Sequence, residues 1–491
     1  MAYAHCERLS ALDASFLALE DASCHMHIGA VATFDATPLL GPDGHLDIDR
    51  IRALMEAGIH RIPRYRQRLA WPPLLRHPVW VDDARFNLHY HLRHTHLPPP
   101  GDDRLLKRLA GRLMSQQLDR GKPLWEMWVV EGLTGNRFAI VTKVHHCMID
   151  GVGSVELTGT IMRPTPDHDP HLDGVPPRWI PRPEPHPLAL LRDEVVRRAI
   201  APWVAAGTVV RALGAPRAAA QTLQDTLGGV GEAVLAGLRS ASPTPLNTAI
   251  GPHRRFDWAE IDLGLVKEVR AKLGGTVNDV VLAVLTGALR RFLHRRGEQT
   301  DALDFRAMLP VNVRDADGGR KLGNRVAMIV ARLPLGERSP RLRLEQVTAA
   351  TRERKRSRQA LGMQTIEELS DQSFTTLFTQ FSRLAALARP FNVVVTNVPG
   401  PPFPVYIEGA RMLGCYPLVP LFRNQALGVA LLSYNGRIYW GFNADWDALP
   451  DLHDLVAMVE PEFDALLADA GVPARDPFPA GNGAEPDRAG A

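Results

Sequence analysis

The sequence has few cysteines, no long apolar run and little excess charge, and each shortage excludes a class of protein. Its four cysteines form no CxxC pair, which is typical of a protein of a reducing compartment. No apolar segment follows a basic start, and no apolar stretch reaches about 18 residues, so we expect no secretory leader and no membrane-spanning helix. The net charge of +3 is too small to indicate nucleic-acid binding. We therefore predict a cytoplasmic protein.

The length of 491 residues predicts two domains, because a single hydrophobic core rarely grows beyond about 300 residues. Proline is concentrated over residues 163–187, "RPTPDHDPHLDGVPPRWIPRPEPHP", which indicates a connection rather than a regular element. The predicted units are a first lobe over 1–162, a proline-rich connection and helical linker over 163–245, a second lobe over 246–471 and a disordered tail over 472–491.

Helical and strand periodicities alternate through both predicted lobes, which indicates the α/β class. Ser10 is placed to cap a helix at "LSALDASFLALED", and apolar spacing predicts a longer helix from Val277 to Arg296. Strands are predicted in the second half at 305–313, 325–333, 391–397, 426–434 and 437–443.

The stretch "AIVTKVHHCMIDGVGSVEL", residues 139–157, ends an apolar strand on two histidines. Consecutive strand side chains point to opposite faces, so His145 and His146 do not easily share one metal ion. A neutral imidazole accepts a proton from a hydroxyl near neutral pH, which suits a general base. Gly151 permits a sharp turn into the next helix, and Asp150 is placed to fix that turn by pairing with an arginine. Taken alone, the pattern fits a strand end with two incidental histidines equally well.

The segment "HHCMIDG" resembles the HHxxxDG motif of the CoA-dependent acyltransferase superfamily. The chain more narrowly resembles the bacterial wax ester synthase/diacylglycerol acyltransferase family. That likeness rests on "LSALDASFLALE", "PLWEMWVVEGL", "TVNDVVLAVLTGALRRFL", "LPVNVR" and "NVVVTNVPGPPFPVYIEGARM", and it extends from residue 8 to residue 465. The resemblance implies an α/β fold of two chloramphenicol-acetyltransferase-like lobes, with a tunnel and the active site at their interface.

The resemblance also assigns roles within the motif. It implies that His146 is the general base for the acceptor hydroxyl, and that no acyl-enzyme forms because both substrates meet in one site. His145 and Gly151 are expected to shape the motif. Asp150 is expected to be a structural acid paired with an arginine, for which Arg314 is the candidate.

Two further elements match the family. Asn278 and Asp279 resemble its ND element, in which Asn278 is expected to polarise the reacting carbonyl or orient the base. Capping of the helix that begins there explains Asn278 equally well. Pro123, Leu124 and Trp125 match the PLW motif, and we expect them to pack near the acyl pocket.

Two other features suggest chemistry that we do not expect. His89 and His91 fall on one face of a predicted strand, as a metal site requires, but no acidic or cysteine ligands accompany them. Cys147 adjoins a histidine, yet it occupies a variable position of the motif and is expected to be a small buried side chain rather than a nucleophile. We predict no metal and no cofactor, with acyl-CoA bound as a substrate.

The leading hypothesis is an enzyme that transfers a long-chain acyl group from acyl-CoA to diacylglycerol, to a fatty alcohol, or to both. The alternatives are a condensation domain of peptide assembly, which shares HHxxxDG, and a noncatalytic lipid-binding protein of the same fold. Because the acceptors are insoluble in water, we expect peripheral contact with the inner face of the plasma membrane or with lipid droplets. Amphipathic helices within 188–238 are the candidate contact.

Overall fold

A computed structural model of the chain describes residues 7–72, 77–148, 161–167, 178–192, 195–196, 240–312, 326–356 and 389–473. Two six-stranded sheets with accompanying helices confirm the predicted α/β class. Most of the predicted linker and membrane-contact region, and all but the first two residues of the predicted tail, lie outside the described residues.

The helices and strands alternate along the described chain. The helices are α1 Ala11–Leu19, α2 Ile48–Gly58, α3 Leu88–His91, α4 Asp103–Met114, α5 Leu263–Leu273, α6 Val277–Arg295, α7 Pro340–Arg356, α8 Leu452–Val456 and α9 Val459–Asp469. The strands are β1 Glu7–Arg8, β2 His27–Asp35, β3 Gln67–Ala70, β4 Val79–Asp82, β5 Leu92–His96, β6 Trp125–Leu133, β7 Arg137–His145, β8 Arg254–Asp262, β9 Phe305–Asn312, β10 Val326–Leu333, β11 Val393–Pro399, β12 Tyr406–Ile407, β13 Ala410–Leu418, β14 Leu427–Tyr434 and β15 Arg437–Asp445.

The first large sheet has the strand order β12-β13-β2-β7-β6-β5. β13 pairs antiparallel with β2, although its sequence belongs to the second half of the chain. Residues 406–418, which we predicted within the second lobe, therefore complete the sheet of the first lobe. The predicted division of the chain does not account for this contribution of the second half to the first sheet, and the predicted boundaries stay predictions.

The second large sheet has the order β10-β9-β11-β14-β15-β8, and β11 runs parallel to both of its neighbours. Five of its six strands fall where they were predicted, with ends that differ by no more than two residues, whereas β8 was not predicted. α6 begins at Val277 as predicted and buries most of its length against this sheet and the neighbouring helices. A third, small sheet has the order β1-β4-β3.

The apolar interior forms two large cores, one for each large sheet. Most residues of the first core lie between Leu9 and Met148. Phe16, Cys24 and Met26 instead belong to the second core, although they lie near the N-terminus. The segment from α1 to the start of β2 therefore joins the two lobes.

The predicted strand through His89 and His91 is wrong in its first half. Residues 88–91 form the one-turn helix α3, capped by the Asn87 side chain, and the strand begins only at Leu92. His91 is buried against the Trp125 ring and contacts its carbonyl oxygen through Nδ1 at 2.8 Å, whereas His89 is exposed. The two imidazoles therefore do not share a strand face.

No single helix of the described chain is long and apolar enough to cross a membrane. Only α5 and α6 taken together reach the required length and composition, and they are bent by 99°.

Candidate active site

The two histidines of the motif lie at the end of β7, in the middle of the first large sheet. His145 is the last residue of the strand, opposite His27 of β2, and its N–H donates to the Leu124 carbonyl at 2.9 Å. The chain then leaves the strand in a 3-10 turn, His146–Met148. The His146 N–H donates to the Met26 carbonyl at 2.8 Å, which ties the start of this turn to the residue preceding β2.

His146 lies where the two lobes meet. Its imidazole stacks on the Phe16 ring with a centroid distance of 3.9 Å and an interplanar angle of 27°. Phe16 and Met26 belong to the second core, whereas Cys147 and Met148 of the same turn belong to the first. The side chain is only partly exposed, in densely packed surroundings.

This setting keeps the imidazole neutral. Burial lowers the pKa of His146 to about 4, because removal from water disfavours the charged ring. The His146 backbone carbonyl opposes this shift, and the nearby His145 ring adds to it. Nδ1 is buried without a hydrogen-bond partner among the described residues, which leaves Nε2 as the nitrogen able to meet a substrate. The ring is therefore neutral at neutral pH, and with its one proton on Nδ1 it offers Nε2 as an acceptor.

His145 has a hydrogen bond on one ring nitrogen and a longer contact with a carboxylate on the other. Its Nδ1 accepts the backbone N–H of Cys147 at 3.1 Å, so a neutral ring carries its proton on Nε2. That Nε2 lies 3.5 Å from Oε2 of Glu20, and His145 is 1% exposed. The arrangement fixes the tautomer and links the strand end to the turn that follows it.

Glu20, at the end of α1, joins this group to the loop before β6. Its side chain is 3% exposed, and Arg120 donates to Oε2 through Nε at 3.1 Å and through Nη2 at 2.7 Å. Oε1 lies 3.4 Å from Nε2 of His27. Burial opposes ionisation, but the contacts with His145 and Arg120 outweigh it and lower the pKa of Glu20, so the carboxylate is charged.

The PLW residues are buried beside the motif. Leu124 supplies the carbonyl that holds His145, and Trp125 opens the strand next to β7. The Trp125 Nε1–H donates to the Tyr65 carbonyl at 2.8 Å. Leu124 therefore supports His145 directly, and the contact of Pro123, Leu124 and Trp125 with an acyl chain stays a prediction.

The ND element begins α6, and here the capping interpretation of Asn278 is wrong. Thr276 is the N-cap: its hydroxyl accepts the Asp279 N–H at 3.2 Å, and the Asp279 carboxylate accepts the Thr276 N–H at 2.8 Å. The other oxygen of buried Asp279 accepts the Thr351 hydroxyl of α7 at 2.7 Å. Asp279 thus anchors the helix, while Asn278 is partly exposed and its chemical role stays a prediction.

Three residues of the predicted site lie outside the described residues: Asp150, Gly151 and Arg314. Their roles and the predicted Asp150–Arg314 pair stay predictions. Cys147 is 2% exposed, and burial raises the pKa of its thiol well above the usual value, which does not favour a thiolate nucleophile.

Within the described ranges, no group of three or more His, Cys, Asp and Glu side chains could hold a metal ion. The expected absence of a metal stays a prediction.

Inspection of the motif alone missed the groups that hold it: Phe16, Glu20, His27 and Arg120. The available signal was the stretch "LSALDASFLALE", which carries Phe16 and Glu20 and is one of the stretches that resemble the family. It did not show that these side chains reach the histidine pair, because that contact depends on tertiary structure.

Comparison with known proteins agrees with this architecture. The family model for the wax ester synthase/diacylglycerol acyltransferase catalytic domain matches residues 9–281, and that for the WS/DGAT C-terminal domain matches residues 322–467. A putative diacylglycerol O-acyltransferase of Mycobacterium tuberculosis is 33% identical over 460 residues, which cover 92% of this chain and 88% of the relative.

Solved structures show the same relationship. A wax ester synthase/diacylglycerol acyltransferase from Marinobacter aquaeolei VT8 is 27% identical with a TM-score of 0.66, over 95% of this chain and all of that one. The first condensation domain of the CDA synthetase shares the fold at 16% identity, with a TM-score of 0.55 over 96% of this chain and 97% of that one. The chain belongs to the wax ester synthase/diacylglycerol acyltransferase family and is an acyltransferase of that family.

Proposed function

We propose that this enzyme moves a long-chain acyl group from acyl-CoA to the hydroxyl of diacylglycerol, of a long-chain alcohol, or of both, with His146 as the general base. The observation that carries the proposal is the His146 imidazole, which is neutral, partly exposed and placed between the two lobes. The family and the relatives named as diacylglycerol O-acyltransferases support the reaction class.

The proposed reaction is a direct transfer. Nε2 of His146 takes the hydroxyl proton as the acceptor oxygen attacks the thioester carbonyl carbon. The new C–O ester bond forms, the C–S bond breaks, and the leaving thiolate of CoA receives the proton from His146. A ring with a low pKa is a weak base, so proton transfer and attack are expected to occur together rather than in sequence.

A radiochemical assay tests the reaction and the acceptor. Purified protein is incubated with labelled palmitoyl-CoA and either diacylglycerol or hexadecanol, and the products are separated by thin-layer chromatography. We expect labelled triacylglycerol, wax ester, or both. If neither product forms while labelled palmitoyl-CoA still binds, the chain is a lipid-binding relative and the proposal is wrong.

We also propose that the enzyme works at a lipid surface, where its insoluble acceptors reside. Trp71, Ile180 and Leu188 are large apolar side chains with exposed surface, 74% in the case of Ile180. Trp71 and the segment leading to Leu188 border an open cavity of about 810 Å³ that Arg68 also lines. Arg68 pairs with Glu184 at 2.7 Å, so the exposed apolar side chains, and not a free positive charge, support contact with a lipid surface. Co-sedimentation with vesicles of phosphatidylglycerol tests this contact, and protein that stays in the supernatant would exclude it.

The low pKa of His146 predicts an unusual pH profile. Only the unprotonated ring accepts a proton, so the rate falls as the pH falls through the pKa of the free enzyme. With that pKa at about 4, we expect kcat/KM to stay nearly constant from pH 8 down to about pH 5. An ordinary histidine would instead cause a tenfold fall per pH unit below about 6.5.

Acid inactivation is separated from protonation of the base by exposing samples to each pH and assaying them again at pH 7.5. A reversible loss of kcat/KM with a midpoint near 6.5 would contradict the assigned environment of His146.

A further inference from the structure

A buried carboxylate that the proposed reaction does not use lies behind the histidine pair. The Glu20 side chain is almost fully buried. Its contacts within the described chain are not with the His146 ring. It meets three side chains from three other segments: His27 at the start of β2, Arg120 in the loop before β6, and His145 at the end of β7. The structure therefore buries a carboxylate, which is costly, next to His145 at the end of β7, one residue before the proposed base His146.

The geometry links this carboxylate to the proposed base through one residue. Glu20 faces Nε2 of His145, and Nδ1 of the same ring accepts the N–H of Cys147. Cys147 is the middle residue of the 3-10 turn that begins with His146. The orientation of the His145 ring therefore decides where this turn lies, and the turn decides where the His146 imidazole points.

A second contact orients the His146 ring. It comes from Phe16 of α1, one turn before the C-cap residue Glu20. The Phe16 ring stacks on His146, while Glu20 holds His145. Arg120 fixes the end of this helix twice, because it donates to the Glu20 carboxylate and also to the Leu17 carbonyl at 2.9 Å. α1 and its C-cap residue Glu20 thus contact both histidines of the motif.

We infer that Glu20, held by Arg120, is a positioning residue that fixes His145 and thereby aims His146 at the acceptor hydroxyl. The inference rests on the proposed role of His146. It predicts that Glu20 acts on the rate through the base and not through substrate binding, since the carboxylate does not reach the substrate. A buried ion pair that only stabilises the fold would have no such effect on turnover.

The test is Glu20→Gln, which keeps the size of the side chain and removes its charge. Arg120 is 39% exposed, so water can solvate the cation that remains and the variant is expected to fold. We expect kcat to fall roughly 100-fold, the cost of a small misplacement at a reacting centre, with KM nearly unchanged. Arg120→Lys keeps the charge but loses the paired donors, so we expect a smaller fall in kcat in the same direction.

Glu131→Gln is the matched control. Glu131 is also a nearly buried carboxylate of the first lobe held by histidines, His45 at 2.9 Å and His94 at 3.1 Å, but it lies at the far end of β6. We expect this variant to keep the wild-type kcat. All rates are measured below the melting transition of every variant, so that loss of folded protein does not count as loss of turnover.

A double variant separates positioning from an independent effect. If Glu20 acts through His146, Glu20→Gln should lower the rate no further once His146→Ala is present. Multiplied losses in the double variant, or a wild-type kcat in Glu20→Gln, would overturn the inference. If His146→Ala itself keeps the wild-type rate, the proposed function fails first, and the two failures are thereby distinguished.

Discussion

His146→Ala is expected to lower kcat/KM for acyl transfer by about two to four orders of magnitude, the usual contribution of a positioned general base. Among the described residues of the motif, only His146 has a side chain that is partly exposed, and its imidazole is neutral at neutral pH. Removing it also ends the stacking on Phe16, which is worth about 1 kcal/mol. The variant should therefore stay folded, with a melting temperature lowered by only a few degrees.

Initial rates and thermal melts on the same preparations check this expectation. His94→Ala is a suitable control, because His94 is also a partly exposed histidine of the first sheet but lies on its edge strand. The control should keep the wild-type rate. A folded His146→Ala enzyme with wild-type turnover would remove His146 from the chemistry.

Part of the secondary structure of the described chain could be predicted from the sequence, whereas β8, β13, α5, α7 and α9 were not predicted. Strands such as β14 and β15 alternate or run apolar between clear turns, and α6 has helical spacing over many residues. The error at His91 has a physical reason. A helix of four residues, as α3 is, is too short to produce a helical period, so the neighbouring strand pattern dominated the prediction.

The candidate site could be predicted only in part. The family motif identified the histidine pair, but the contacts that orient it join positions more than 100 residues apart, such as Glu20 and His145. No local pattern records such a pairing. The same holds for β13, whose sequence lies in the second half and whose hydrogen bonds lie in the first sheet. For Asn278, the sequence allowed capping or chemistry, and the observed capping box of Thr276 and Asp279 excludes the first.

Glu462 illustrates the same limit for stability. In "VEPEFDALLAD" it resembles an ordinary solvated acid of an amphipathic helix, yet its side chain is 3% exposed. It pairs with Arg343 of α7, which is 2% exposed, and with Arg291 of α6. Gly287 makes room for the pair, because a Cβ there would lie 2.0 Å from the Glu462 carboxylate. These four residues join α6, α7 and α9 around one buried carboxylate.

Glu462→Gln should therefore be strongly destabilising. It leaves the buried Arg343 cation beside Arg291 without a carboxylate, and removing one partner of a buried ion pair costs about 3 to 5 kcal/mol. For a lobe of this size, that loss corresponds to a melting temperature lowered by roughly 6 to 20 °C. Burial already lowers the pKa of Arg343, and the Glu462 carboxylate opposes that shift, so the cation depends on this partner.

Asp451→Asn provides the comparison, since Asp451 pairs with Arg296 in the same lobe but is 34% exposed. A partly exposed pair of this kind is worth about 1 kcal/mol or less, because water solvates the partner that remains. Differential scanning calorimetry should thus show a large shift for Glu462→Gln and a small one for Asp451→Asn. If both variants lowered the melting temperature by the same small amount, water would have to reach Arg343 when its carboxylate is gone. The three helices would then be held by their apolar contacts, with the buried pair adding little.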